Sequence, residues 1–169
     1  MFRLKIILTV AIIIFLFGMP IVDYAAAAEK SKCNTEGAFF NTKSEQFEVG
    51  DEEGHIIRIS EMKGFYTDKH TGERVFDRTI SVMDFNIKTG LGSVYGYGIE
   101  TKGDGCKLFR SFKGEPSGKT QWKGKWKIIK CTGKLKGTKG GGNWVWTSYD
   151  LEANQGYQEM EGELQGPEY

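Results

Sequence analysis

The sequence predicts an all-β fold, an eight-stranded antiparallel β-barrel. Short segments in which apolar and polar residues alternate recur along the chain, and turn-forming residues separate them. Glycines also lie within these segments, as at Gly96, Gly98 and Gly124, and a strand that curls sharply to close a barrel places glycine there. The interior of an eight-stranded barrel is wide enough for side chains or for one small ligand.

The first 28 residues predict a secretory signal peptide. Arg3 and Lys5 precede the apolar run Ile6–Met19, and Ala25–Ala28 supplies the small residues of a cleavage site. An uncleaved membrane anchor is the alternative, but the run is shorter than the roughly 20 residues that span a bilayer. We therefore expect residues 29–169 to form one exported domain, periplasmic or extracellular, without a stable membrane span after cleavage.

Eight segments between residues 38 and 164 have strand character. Phenylalanines anchor the first, and the glycine- and acid-rich turn Gly50–Gly54 leads into the second. The sixth shows the period of two most clearly, because lysines alternate with Trp122 and Trp126. The predicted strands are Ala38–Val49, His55–Tyr66, Val75–Ile87, Ser93–Thr101, Lys107–Phe112, Gln121–Ile129, Asn143–Tyr149 and Tyr157–Leu164.

The residues between the predicted strands are expected to be loops. Glu29–Asn34 is a polar lead before the first strand, and Gly133–Gly142 is a glycine- and lysine-rich connection before the seventh. Leu151–Asn154 allows one helical turn at most. Neither Pro116 nor Pro167 interrupts a predicted strand.

Charge is balanced overall but unevenly distributed. Without Arg3, Lys5 and Asp23 the chain is formally neutral, so net charge gives no argument for a nucleic-acid partner. Eight lysines nevertheless lie between residues 119 and 139 with no acidic residue among them, and the last twenty residues are acidic without a base. We favour complementary charges on neighbouring strands, since alternating lysines also protect strand edges. A cationic face for an anionic polymer or lipid surface is the alternative.

Three cysteines, Cys33, Cys106 and Cys131, permit at most one internal disulfide. Cys106 opens the strand before the turn Lys113–Lys119, and Cys131 closes the strand after it. If those strands pair as a hairpin, the two cysteines lie roughly opposite each other, so we expect a Cys106–Cys131 disulfide. Three unpaired thiols are the alternative, and a catalytic thiol at Cys131 has no neighbouring histidine in the sequence.

Glycine-based motifs in the second half of the chain resemble a known family. These are Gly96–Ile99, Lys102–Gly105, Lys107–Gly114, Gly124–Trp126 and Cys131–Gly140. They are similar to the allene oxide cyclase and dirigent-like β-barrel superfamily, and most similar to its secreted bacterial members of unknown function. Cys131 stands where the family pattern has its first glycine, and Leu135 stands where an aromatic residue is usual. The resemblance covers Gly54–Leu164.

The resemblance implies eight antiparallel strands, a homo-oligomer, and a cavity that binds a hydrophobic or phenolic ligand. Characterised members of the superfamily either isomerise such a ligand through the shape of the cavity or steer its coupling. No catalytic motif of the family matches a position in this chain, so no catalytic residue is assigned and no cofactor is expected. Fold alone does not establish function.

Aromatic residues are the candidate ligand contacts. Tyr95 and Tyr97 project to one side of their strand because they alternate with glycines, and four tryptophans occupy strand positions further along. The predicted ligand-lining residues are Tyr95, Tyr97, Trp122, Trp126, Trp144 and Trp146. The alternative is that these rings fill the barrel or a subunit interface, because aromatic residues dominate both.

Neither the histidines nor the lysine–tryptophan pattern predicts another kind of site. His55 and His70 are too far apart in sequence to form a metal motif, so no metal site is expected. We interpret His55 as a strand-opening residue bonded to a turn. Lysines interleaved with tryptophans also occur on oligonucleotide-binding surfaces, but an exported chain without net positive charge leads us to expect no nucleic acid.

Several charged residues are candidates for the lumen. Arg78 and Asp84 share one face of the third predicted strand. Arg58 and Arg110 lie on other predicted strands. A charge inside the barrel would need a partner, and a buried ion pair with a purely structural role is an equally common outcome. The sequence does not decide which strand faces line the lumen.

The sequence thus predicts an exported barrel that binds a small apolar or aromatic ligand or acts as an interaction module of the cell envelope. The alternative is an isomerase or cyclase of the allene oxide cyclase type, and whether the protein is an enzyme stays open. A cyclase requires an open, one-ended cavity with a polar group near the reacting atom. An interaction module can have a lumen filled by its own side chains.

Overall fold

The computed structural model describes residues 30–150 and 155–166. It contains eight β-strands and a single 3₁₀ turn, Gly133–Leu135. The strands are β1 Lys30–Glu48, β2 His55–Asp68, β3 Arg74–Asn86, β4 Leu91–Thr101, β5 Lys107–Pro116, β6 Gln121–Cys131, β7 Lys139–Asp150 and β8 Gln155–Gln165. The predicted signal peptide, residues 1–28, and the short segment Leu151–Asn154 lie outside the described residues.

The strands form one closed antiparallel barrel in sequence order. Each strand pairs with the next, and β8 returns to pair with β1, with Lys30 opposite Gln165 and Phe39 opposite Gly156. Full closure leaves no unpaired sheet edge, which removes the usual route to edge-to-edge aggregation. The predicted fold class, an all-β eight-stranded barrel, is confirmed. No helix among the described residues is long and apolar enough to cross a membrane.

The predicted turn Lys113–Lys119 is shorter than expected, because Lys113–Pro116 forms the end of β5 and pairs with β6. Two further predicted loop segments belong to strands. Lys30–Asn34, expected as a polar lead, forms the start of β1 because it pairs with the end of β8. Gly140–Gly142, expected as loop, pairs with both β6 and β8 at the start of β7. Neither segment alternates apolar and polar residues, so their strand character comes from neighbouring strands rather than from their own side chains.

Glycine pairs explain how the wall bends tightly enough to close. Gly114 of β5 lies directly opposite Gly124 of β6, and Gly142 of β7 lies opposite Gly162 of β8. A Cβ at Gly162 would lie 2.8 Å from the indole of Trp126, and one at Gly142 would collide with the carbonyl oxygen of Glu161. Only glycine fits where the wall coils this strongly, as the sequence pattern predicted.

The barrel has two different ends. One end carries the β2–β3, β4–β5 and β6–β7 connections, and there the 3₁₀ turn places Leu135 against Cys106 and Leu108. We call it the closed end. The other end carries the β1–β2, β3–β4 and β5–β6 turns, and we call it the open end. Most of the buried aromatic and aliphatic side chains lie between the two ends in one core cluster.

Candidate ligand-binding site

Every second residue of a strand points into the barrel, and this alternation decides which side chains form the lumen. On β6, Trp122 and Trp126 face inward and are buried, whereas the lysines between them face solvent. Trp144 and Trp146 of β7 face inward as well. The structure therefore brings the four predicted tryptophans together in the core cluster.

Tyr95 and Tyr97 do not line the lumen, contrary to the expectation. Their side chains lie on the outer face of β4 and are 52% and 59% exposed. The inner face of β4 carries Gly96 and Gly98 instead, because larger side chains of β5 cross the space there. A Cβ at Gly96 would lie 2.6 Å from the ring of Phe112, and one at Gly98 would lie 2.6 Å from the guanidinium carbon of Arg110.

A pocket of about 520 Å³ opens at the open end of the barrel. We call it the mouth. Its apolar walls are Ile56, Met83, Phe85, Ile87, Pro116 and Trp122. Its cationic lining residues are Arg58, Lys88 and Lys119, and the described lining contains no carboxylate. The rings of Phe85 and Trp122 are 5.2 Å apart and tilted, so they form one continuous aromatic wall.

A smaller chamber of about 40 Å³ lies deeper in the lumen. It is lined by Met62, Thr79, Ser81, Met83, Val94, Phe112, Trp122, Trp144, Trp146 and Gln158. Met83 and Trp122 line both the mouth and the chamber, so the two spaces adjoin. The chamber has room for about three water molecules at roughly 10–15 Å³ each. Trp126 lies outside its lining, because its Nε1 donates to backbone oxygens of Asn143 and Glu161.

A buried charged cluster lies beyond the chamber, toward the closed end. The Nη1 of Arg110 donates to Asp77 Oδ2 at 2.6 Å and to Glu100 Oε1 at 2.5 Å. Its Nη2 donates to the hydroxyl of Tyr66 at 2.9 Å. Arg110, Asp77 and Tyr66 are among the most deeply buried side chains of the barrel. The expectation that Arg110 carries a charge into the lumen with a partner is confirmed, and the cluster holds two carboxylates for one guanidinium.

Burial and the neighbouring charges both shift the pKa values of the groups in this cluster. Burial raises the pKa of Glu100, and the neighbouring charge of Asp77 raises it further, while Arg110 opposes both. Burial also raises the pKa of Tyr66 well above its usual value, so its hydroxyl stays protonated. Burial by itself would lower the pKa of Arg110, but the charges of Asp77 and Glu100 raise it, so the guanidinium stays charged. The cluster favours a proton on Glu100.

Thr79 connects the cluster to the chamber. Its side chain lines the chamber, and its hydroxyl donates to Asp77 Oδ1 at 2.7 Å while it accepts a weak bond of 3.4 Å from Arg110. Ser81 and Gln158 add two more polar groups to the lining. A ligand atom in the chamber would therefore meet hydroxyl and amide groups, with the charged cluster directly behind them.

His55 lies at the open end, outside the lumen. Its Nδ1 lies 2.6 Å from Asp51 in the β1–β2 turn, and its Nε2 lies 2.8 Å from Asp84 of β3. Hydrogen bonds to Asp84 and then to Asp51 raise the pKa of His55, and the same contact lowers the pKa of Asp51. His55 thus fastens a turn to the barrel. The described residues contain no cluster of side chains suited to hold a metal ion.

The three cysteines are free thiols in the structure. Cys131 lies opposite Leu108, so Cys106 is two residues out of register with it and the expected disulfide is not formed. The Sγ of Cys106 donates to Asp104 at 3.3 Å and accepts from the amide of Lys134 at 3.4 Å. The bulge between Phe109 and Arg110 shifts the hairpin, and sequence spacing did not reveal it.

Comparison with known proteins shows the fold. No protein-family model matches the chain, and no curated protein matches it in sequence. The structure is similar to that of the pterocarpan synthase dirigent protein GePTS1, with a TM-score of 0.54 and 9% identity over 89% of this chain and 96% of that chain. A second pterocarpan synthase dirigent protein, PsPTS1, has a TM-score of 0.49 and 12% identity over 83% of this chain and 97% of that one. The similarity to GePTS1 shows that the eight-stranded barrel is dirigent-like in fold.

Proposed function

We propose that the protein is an exported barrel that binds a small aromatic or apolar molecule in the mouth. The observation that carries this proposal is the adjoining arrangement of mouth and chamber, which share Met83 and Trp122. The mouth volume falls within the roughly 300–1,000 Å³ of small-molecule sites, whereas the chamber is much smaller. The body of the ligand occupies the mouth, and only a group of a few atoms reaches the chamber.

The chemistry of the mouth favours a ligand with an apolar ring and a negative charge. The ring packs on the wall that Phe85 and Trp122 form. A carboxylate on the ligand faces Arg58, Lys88 and Lys119. Lys88 is also paired with Glu53, so Arg58 and Lys119 are the cations available without breaking an ion pair. The similarity to a dirigent barrel supports a ligand site in the lumen by analogy only.

A second candidate function is an isomerase or cyclase that acts through the shape of the lumen. The observation that favours it is the polar group at the inner side of the chamber, where Thr79 bonds to Asp77 and Arg110. A reacting group that entered the chamber would meet the Thr79 hydroxyl, with the Asp77 carboxyl group and the Arg110 guanidinium behind it. Catalysis requires interactions that strengthen in the transition state, so turnover has to be tested separately from binding.

Ligand titration tests the proposed function. Tryptophan fluorescence of the purified protein is followed with an aromatic carboxylate, the corresponding alcohol and the corresponding amine, all with the same ring. We expect saturable quenching with the affinity order carboxylate, alcohol, amine, because Arg58 and Lys119 attract the first and repel the last. Native mass spectrometry of the freshly isolated protein should show a retained small molecule. Absence of both signals would leave the envelope interaction module as the better function.

A further inference from the structure

The outer face of β5 and β6 carries exposed lysines without carboxylate partners. Among the described residues, Lys113, Lys123, Lys125 and Lys127 form no ion pair within 4.0 Å. Six lysines elsewhere each pair with a carboxylate: Lys30, Lys63, Lys69, Lys88, Lys102 and Lys134. Other exposed lysines, such as Lys43, Lys136 and Lys139, also form no ion pair among the described residues. The lysines of β5 and β6 differ from these in lying side by side, because Lys113 lies opposite Lys125 and alternate positions of β6 carry the others.

The acidic strand does not neutralise these lysines. Complementary charges on neighbouring strands were expected, and Glu115 of β5 does lie opposite Lys123 of β6, but β7 separates β6 from the acidic strand β8. Asn143 of β7 bridges the gap, accepting from Lys125 at 2.5 Å and donating to Glu161 at 3.0 Å. The β8 residues Glu163 and Glu159 pair with lysines on the far side of the barrel.

The arrangement of the lysines is unfavourable for the isolated protein. Lys113 of β5 lies directly opposite Lys125 of β6 in the ladder. Like charges directly opposite each other destabilise a sheet. Closure also removes the need for lysines as edge protection, because neither β5 nor β6 is an edge strand. Edge protection therefore does not explain this face, and complementary charge on a neighbouring strand accounts only for Lys123, which lies opposite Glu115.

The face is concave. A groove of about 760 Å³ lies against it, and we call it the lysine groove. Its outward-facing lining includes Lys113, Lys123, Lys125, Tyr95, Ser93 and Asn143. Glu115 and Glu161 line it as well, and Glu161 accepts from Asn143. Cations, an exposed ring, a hydroxyl and an amide thus share one recess.

We propose that the lysine groove binds a linear anionic polysaccharide. Alternate residues of a strand are roughly 7 Å apart, so Lys123 and Lys125 in the groove, followed by Lys127 beyond it on the same strand face, present a row of charges to an extended chain. The ring of Tyr95 packs on sugar faces, and the amide of Asn143 bonds to sugar hydroxyls. These lysines line a groove, which fits an extended chain better than a flat bilayer. Single-stranded nucleic acid needs stacking platforms beside the cations, and the tryptophans of β6 point into the barrel.

Binding of fluorescently labelled polygalacturonate tests the proposal. Fluorescence anisotropy is measured with the purified protein over a range of salt concentrations. The triple variant K113Q/K123Q/K125Q is compared with K43Q/K136Q/K139Q, which removes the same charge from exposed lysines elsewhere. We expect the groove variant to bind about tenfold more weakly, because three exposed ion pairs of ordinary strength together correspond to roughly one decade of affinity. Its affinity should also depend less steeply on salt.

Each outcome of this comparison either supports or overturns the proposed polysaccharide site. Saturable binding that the groove variant weakens and the control variant retains supports it. No saturable binding by the unmodified protein overturns it, and so does an equal loss in both triple variants. Tighter binding to phosphatidylglycerol vesicles or to a single-stranded oligonucleotide overturns the polysaccharide as the partner. Titration of the aromatic carboxylate with the groove variant should be unchanged, because the mouth lies at the open end and shares no lysine with the groove.

Discussion

Arg110 of β5 and Asp77 of β3 form an ion pair inside the barrel, with Nη1 and Oδ2 2.6 Å apart and side chains that are 1% and 0% exposed. Glu100 of β4 meets the same nitrogen from the other side. The guanidinium thus joins three neighbouring strands at the centre of the lumen. Removing it would leave two carboxyl groups without their cation in a site from which water is excluded.

Replacing Arg110 with methionine should destabilise the fold strongly. We expect the free energy of unfolding to fall by about 3–5 kcal/mol, because breaking a buried pair leaves an uncompensated charge. Urea denaturation followed by tryptophan fluorescence measures the change. Arg78→Met is the matched control, since Arg78 pairs with Glu61 on the outer face of the barrel, and there we expect a much smaller loss because solvent screens the pair. Equal losses in the two variants would contradict a structural role for the buried cluster.

Glu100 should make the protein less stable as the pH rises. Its pKa is raised by burial, so the folded state holds its proton more tightly than the unfolded state does. The resulting stabilisation is complete below the unfolded pKa and is lost as the pH rises through the folded pKa. Glu100→Gln keeps a neutral acceptor for Arg110. This variant should be more stable than the parent at pH 8, and the difference should disappear near pH 4. This prediction is tested by measuring the free energy of unfolding of both proteins between pH 4 and pH 8, with Glu115→Gln as the surface control.

His55 should titrate above its ordinary range. Its contacts with Asp84 and Asp51 raise its pKa, so the stabilisation is present below the unfolded pKa and is lost as the pH rises through the raised folded value. The imidazole C2 proton in a nuclear magnetic resonance titration reports the midpoint directly. Amide exchange in the turn Gly50–Gly54 should quicken above that midpoint. Asp84→Asn should shift the midpoint down, and an unchanged midpoint in that variant would remove Asp84 as the cause.

Cys33 should be the least reactive thiol of the folded protein. It lies inside the barrel, where burial chiefly, together with the charges of Glu100 and Asp68, raises its pKa to about 12. Since the thiolate is the reactive form, iodoacetamide should modify the half-buried Cys131 first and leave Cys33 unmodified. Peptide mass spectrometry gives the order of labelling. In denaturant all three thiols should react, and fast labelling of Cys33 without denaturant would contradict its placement in the lumen.

Phe85→Ala should weaken ligand binding to the mouth. The ring forms half of the aromatic wall with Trp122, and losing its contact area and stacking should lower the affinity for the aromatic carboxylate about tenfold. Phe76→Ala removes the same side chain from the outer face of the same strand, where it packs on Phe65. Fluorescence titration should show no change in affinity for that control. A similar loss in both variants would indicate a general effect on stability.

The number and order of strands could be predicted from the sequence, because alternation and turn residues mark each strand separately. Which face of β4 points into the barrel could not be predicted. A period of two yields two faces, and the choice of the glycine face follows from Phe112 and Arg110 reaching across from β5. Of the charged cluster, only Arg110 was identified from the sequence as a candidate for the lumen. Asp77 and Glu100 become its neighbours through the register of three strands, which the sequence does not reveal. The bulge, which adds one of the two positions by which Cys106 and Cys131 are out of register, leaves no mark in the sequence.

Pairing of β8 with β1 has a consequence for how the chain reaches its native state. The residues joined at that seam are separated by well over a hundred positions, as Lys30 and Gln165 are. Until the last strand is in place, β1 and β7 each present an open row of amides and carbonyls. Native structure therefore forms late and as a unit, and a partly synthesised chain needs protection from self-association until the barrel is closed.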